Sequence, residues 1–159
     1  MNYYKLEVKL IKLIASALKK YQVVECYSGL DSGAGLIWAL SLSSAALHFG
    51  KDRVKFIAEV PCIEQNKDWR WNFKRLYEIL YKRADRVNRY SLKYEPIDSE
   101  VYITRNKHMI DNSDMAIFIW QPNIMSMGSP ISIAYDYAKS NKKQILHIAP
   151  NDLQFQKDK

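Results

Sequence analysis

Two stretches of the chain concentrate the residue types that hold phosphate. The first is Tyr27-Ser28-Gly29-Leu30-Asp31-Ser32-Gly33-Ala34-Gly35, with three of the chain's five glycines between an apolar run and a helical pattern. Glycine accepts positive φ and lets a ligand approach the backbone closely. A helix starting there offers free N–H groups and partial positive charge to an anion. No lysine follows these glycines, so the stretch is neither GxGxxG nor a Walker loop. Without a ligand, the same residues make a tight strand-to-helix turn. The second stretch is Gly128-Ser129-Pro130, a serine cap with proline at the first helical position. It offers amides and a hydroxyl to an anion, or serves only as a helix cap. Between the two, Arg105 and Asn106 lie on a helix leading to Asp114. An arginine there would clamp phosphate or ribose phosphate through two parallel N–H bonds; the alternative is a solvated surface arginine.

Such turns need strands and helices to position them. Leu6, Leu10, Leu13, Ile14, Ala17 and Leu18 recur at helical spacing. Gln22 to Ser28 reads as a strand, Gly33 to His48 as a helix apolar nearly all round, and Val54 to Val60 as a strand closed by Pro61. Asp68 to Arg83 reads as a helix, and Arg86 to Tyr90 as a weak strand followed by a polar loop from Lys93 to Asp98. Asp98 or Ser99 caps a helix reaching about Ile110. Met115 to Trp120 is a continuous apolar strand, expected in the middle of a covered parallel sheet. A helix from Ser129 to about Ser140 and a strand from Gln144 to Ile148 complete the pattern, and a polar tail over residues 151–159 is expected to fray. Alternation of strand and helix specifies one α/β domain over residues 1–150. Its fold class is a doubly wound, mostly parallel sheet with helices on both faces. In such sheets ligands sit beyond the carboxyl ends of the strands, where both glycine turns fall.

Composition sets outer bounds. A length of 159 residues suits one domain. No apolar stretch approaches the roughly 18 residues of a membrane span, and the N-terminus shows no signal-peptide layout, so a cytoplasmic protein is expected. Cys26 and Cys62, each read inside a strand, are taken as buried thiols in a reducing compartment. His48, His108 and His147 are scattered, so neither a metal site nor a cofactor is expected. The net charge of +7 permits an anionic ligand, but the basic residues are spread along the chain rather than gathered in a nucleic-acid-binding stripe.

Taken in order, YSGLDSGAG, VPCIEQNKDW, RADRV, RNKHMIDNSDMAIFIW and GSPISIAYDYAK resemble the YpsA-type branch of the SLOG superfamily. Its relatives include the lonely-guy phosphoribohydrolases and the DNA-processing protein DprA. The resemblance covers about Tyr3 to Ile148. It rests most on Glu64-Gln65 before Trp69, Arg105-Asn106 before Met109, and Asp111-x-Ser113-Asp114. It implies a Rossmann-like sheet that takes nucleotides or nucleotide-derived signals in a cleft between the glycine turns. By position, Ser28, Gly29 and Gly33, with Asp31 and Ser32 between them, belong to the first phosphate turn. Glu64 and Gln65 would reach the same cleft, Arg105 matches an arginine used near the N-glycosidic bond, and Gly128 and Ser129 match the start of a PGGxGTxxE loop.

Two departures bear on activity. The acidic residue of that loop falls at Ala134, and the nearest carboxylate, Asp136, lies two residues on, about 200° around a helix of 3.6 residues per turn. The family's opening strand and TGxRP-like turn are also missing, as the chain starts directly in a helix. That strand would be central, so its absence implies a narrower sheet or a gap filled otherwise, and a homo-oligomer could cover the edges. The expected function is therefore non-catalytic binding of a nucleotide or ADP-ribose-type molecule, for sensing or sequestration. One alternative is a phosphoribohydrolase of nucleoside monophosphates using Arg105 with Glu64 or Asp136. Others are single-stranded DNA binding in the manner of DprA, which would weaken steeply with salt, and a purely structural or partner-binding role.

Overall fold

The computed structural model describes residues 2–93, 99–120, 128–149 and 153, with 155–157 by backbone alone. These residues form α1 (Tyr3–Leu18), β1 (Val24–Ser28), α2 (Ala34–Phe49), β2 (Val54–Val60), α3 (Trp71–Arg83), β3 (Arg86–Arg89), α4 (Ser99–Asp111), β4 (Met115–Ile119), α5 (Pro130–Ser140), β5 (Gln144–Ile148) and β6 (Phe155–Lys157). The alternation is that of a Rossmann-like α/β fold. All strand pairs are parallel except β5 with β6. The chain divides into two compact units, Asn2–Glu95 and Pro96–Lys159.

In the first unit the sheet order is β1-β2-β3, in register from Val24↔Val54 to Val60↔Arg89. Parallel crossovers are almost always right-handed, so two successive steps in one direction put α2 and α3 on the same face. The core confirms this: Val54, Phe56, Ala58 and Val60 alternate onto the face that meets Leu36, Ala39, Leu42 and Ala45 of α2, and Tyr77 and Leu80 of α3. Ile14 and Leu18 bring α1 to the same core, on a stripe with Leu6 and Leu10 at every fourth residue. Arg53 donates to the carbonyls of Leu18 (3.2 Å) and Gln22 (3.3 Å), satisfying acceptors that the end of α1 leaves open. The opposite sheet face carries Glu25, Tyr27, Lys55, Ile57, Glu59, Arg86 and Asn88.

The second unit has the order β4-β5-β6. Ile110 of α4, Phe118 of β4, Ala134 and Ala138 of α5, and Ile145 of β5 form its core. Lys143 donates to the carbonyls of Asp111 (3.2 Å) and Ser113 (2.8 Å), tying the end of α4 to the start of β5. Ser129 caps α5, its hydroxyl accepting from the Ser132 amide at 3.3 Å, with Pro130 at the first turn.

Several expectations are corrected. Among the described residues the strands pair within each unit, in the orders β1-β2-β3 and β4-β5-β6. Within its own unit Met115–Ile119 ends the order rather than lying in the middle of it, since a continuous apolar run reports burial of faces, not the number of hydrogen-bonded neighbours. The C-terminal tail does not simply fray, since β6 pairs antiparallel with β5 after the buried Leu153. Cys62 lies in a bend after β2 rather than in a strand. α3 starts at Trp71 rather than Asp68, because residues 63–68 turn through bonds such as Lys67 N–H to Glu64 C=O (3.0 Å). The Asp98 cap, the loop over 94–98 and the segment 121–127 lie outside the described residues. No helix among the described residues is long and apolar enough to cross a membrane.

Candidate functional site

Backbone geometry and one serine build the first glycine turn. Ser28, at the end of β1, is buried; its Oγ donates to the Gly35 carbonyl (3.0 Å) and accepts from the Leu30 amide (3.2 Å). The hydroxyl therefore braces the strand end against the helix instead of facing outward. Leu30 adopts positive φ (53°) while its side chain is wholly buried in the core. Gly33 is the N-cap of α2 at φ 89°, ψ −119°, with no side-chain cap. Gly35 lets the turn close, because a Cβ there would stand 3.3 Å from Cβ of Asp31. The Leu36 and Ile37 amides donate to the carbonyls of Asp31 and Gly33 at 3.0 and 3.1 Å. Those of Gly33, Ala34 and Gly35 meet no acceptor among the described residues. Three successive donors at the positive end of a 16-residue helix can cradle an anion.

Gln65 completes this turn from the other side. Its Nε2 donates to the Gly29 carbonyl (3.0 Å) and to Oδ1 of Asp31 (3.1 Å), while its Oε1 is buried without a partner. Ser28, Gly29, Asp31, Ser32, Gly33 and Gln65 thus belong to one cluster, with Ser32 at its exposed rim. Glu64 does not join it. Its half-exposed carboxylate stands 4.0 Å from Lys67 Nζ, a surface pair worth about 1 kcal/mol or less.

In the second unit Arg105 is buried, with Nε and Nη2 both on Oδ1 of Asn106 (3.2 and 2.8 Å) and its guanidinium 5.0 Å from the centre of the Tyr102 ring. Asn106 in turn donates to the Pro130 carbonyl at 3.3 Å. The predicted residues Arg105, Asn106 and Ser129 therefore meet at the start of α5, with Gly128 (φ 86°) just before it. Arg105 is no solvated surface arginine, and part of its donor fork is held inside the protein. Ala134 lies in the core and Asp136 is exposed, so the acidic position of the PGGxGTxxE-like loop is filled by a core methyl.

One functional-type residue escaped the sequence reading. Glu59 is fully buried near the carboxyl end of β2, its Oε1 accepting from Asn88 Nδ2 (2.7 Å) and its Oε2 from the Tyr90 hydroxyl (2.6 Å). The available signal was a lone acid in the apolar run Val54–Val60, at the strand end where parallel sheets take ligands. On the same face Tyr27 donates to Glu25, and burial, then this bond, push its phenol up to about 12. Burial, followed by the Glu25 charge, pushes the Cys26 thiol up to about 12, so it is inert at neutral pH. No group of three or more His, Cys, Asp or Glu among the described residues could hold a metal. A depression of about 90 Å³ lined by Lys51, Phe56, Arg83 and Asp85 lies toward the amino end of β2, away from the glycine turn.

No family model matches the chain. Over 149 residues it is 27% identical to a UPF0398 protein of Lysinibacillus sphaericus (strain C3-41), covering 91% of this chain and 77% of that protein. UPF0398 is the family of YpsA, a SLOG-type family, and the chain is similar to that protein over nearly its whole length.

Proposed function

We propose that the chain is a YpsA-type SLOG protein that binds a nucleotide or nucleotide-derived signal without turning it over, its phosphate resting on the amides at the start of α2. One observation carries the reading: Gly33, Ala34 and Gly35 present three amides without acceptors among the described residues, and nothing lies within 4 Å of where a Gly33 Cβ would be. The start of α5 is the weaker anion site, because its Ser129 hydroxyl is already engaged by Ser132. Similarity to the UPF0398 protein supports the YpsA-type part of the reading alone.

Turnover is disfavoured because the nearby carboxylates are engaged or turned outward, Asp31 accepting from Gln65 Nε2. Glu64 pairs outward with Lys67, Asp136 is exposed, and Glu59 is held by Asn88 and Tyr90. A glycosidic hydrolysis needs an acid or base within hydrogen-bond reach of the reacting centre. A thermal-shift screen of nucleoside mono-, di- and triphosphates, NAD, ADP-ribose and cyclic nucleotides tests the binding claim. A ligand at a hundred times its Kd adds about 2.7 kcal/mol, or about 5–11 °C at roughly 2–4 °C per kcal/mol. Release of free base from any of them would replace the binding reading with the phosphoribohydrolase. Absence of any shift at millimolar concentration would remove both.

A further inference from the structure

The amide of Gln65 poses a chemical problem that its described neighbours do not solve. Both groups facing its Nε2, the Gly29 carbonyl and Oδ1 of Asp31, are acceptors. An amide turned the other way would set oxygen against two oxygens, so its orientation is fixed by its neighbours. Oε1 is then left as an acceptor that is sealed from solvent and has no donor among the described residues. Gln65 as a whole is 9% exposed. A buried acceptor without a donor destabilises the state that contains it, and an arriving O–H or N–H relieves that cost.

Gln65 is joined to the anion cradle through Asp31. Asp31, which Nε2 touches, packs its Cβ against the position of Gly35 in the first turn of α2. A phosphate on the Gly33–Gly35 amides brings with it whatever its ester carbon carries. In a nucleotide that group is the ribose, whose hydroxyls are the nearest neutral donors to the phosphate. The cluster thus offers donors to the anion and one acceptor to the sugar. Because Oε1 is sealed, the turn must shift to admit the hydroxyl.

We infer that Gln65 is the specificity-determining residue of this site, its Oε1 accepting from a ribose hydroxyl, so that the ligand is a ribonucleotide rather than a bare phosphate or a fully deoxygenated analogue. This rests on the reading of the α2 turn as an anion site. The test titrates the full chain with AMP, with 2′,3′-dideoxy-AMP and with inorganic phosphate by calorimetry, then repeats the series with Gln65→Met. AMP is expected to bind about tenfold or more tightly than the dideoxy analogue, the usual discrimination when a buried acceptor loses its donor. That preference is expected to vanish in Gln65→Met, in which AMP and the dideoxy analogue bind alike. Equal binding of the two nucleotides by the unaltered chain overturns the inference and leaves the anion site standing. Equal weakening of all three ligands in Gln65→Met also overturns it, since Gln65 then only holds the turn. If neither nucleotide nor phosphate binds the unaltered chain, the anion site itself fails and the inference falls with it.

Discussion

Replacing Gly33 by alanine tests the geometry of the α2 turn without any ligand. Gly33 stands at φ 89°, ψ −119°, a conformation that side chains of L-residues rarely adopt, yet a Cβ there would meet nothing within 4 Å. Crowding is therefore absent, and the whole effect is backbone strain, about 1–3 kcal/mol. Alanine also stiffens the unfolded chain, which returns about 0.4–1 kcal/mol. The net loss expected is about 1–2 kcal/mol. Gly35→Ala is the matched control. Its φ lies outside the left-handed region, its Cβ would stand 3.3 Å from Asp31, and alanine favours the helix by up to about 1 kcal/mol. Tightness and propensity oppose each other there, so a change within about 1 kcal/mol is expected. Urea melts read both variants, with stability taken from the midpoint at an unchanged slope. A Gly33→Ala protein as stable as its parent would falsify the positive-φ turn, and with it the alignment of the three amides.

Three further outcomes follow from other parts of the fold. Tyr90→Phe removes one hydrogen bond to the buried Glu59 carboxylate and should lower stability by about 1.5–3 kcal/mol, as for bonds to charged groups; a loss below about 0.5 kcal/mol in urea would show that water shares the site. Ser129→Ala deletes the α5 cap and should cost about 1 kcal/mol, read in the same melts, whereas Ser129→Gly should cost only a few tenths. Stability should also fall as the solution becomes alkaline. The Cys26 thiol and Tyr27 phenol ionise near 9.0 and 10.0 in the unfolded chain and near 12 in the fold, and Tyr77 is also raised, chiefly by burial. Between those values the folded state binds more protons than the unfolded one, so stability present below pH 9 is lost as pH rises toward 12. A flat profile of urea midpoints from pH 8 to about 11 would contradict this burial.

Much of this architecture was legible in the residues because face burial leaves a periodic trace. The stripe of Leu6, Leu10, Ile14 and Leu18, the strand Val54–Val60 and the Ser129-Pro130 cap all emerged as read. What escaped were properties with no periodic trace. Hydrogen-bonded neighbours do not show in side-chain pattern, so β6 was missed altogether. Trp38 illustrates the point. Its indole N–H donates at 2.8 Å to the Tyr27 carbonyl in β1, eleven residues away. In the candidate site, glycine and serine positions announced the turn. The partnership of Gln65 with Gly29 and Asp31 spans more than thirty residues and is visible only in the fold. Glu59 escaped for a related reason: a strand read as apolar hides the one acid whose partners, Asn88 and Tyr90, lie on β3 and just after it.

The amide resonances of Gly33, Ala34 and Gly35 give the most direct test that the start of α2 holds a nucleotide phosphate. A ¹⁵N-labelled chain titrated with AMP and ADP-ribose should show saturable shifts at those three amides, strongest where a phosphate oxygen accepts from them. Titration that leaves them in place, or that moves only Gly128 and Ser129, would contradict the assignment of the anion site to the α2 turn.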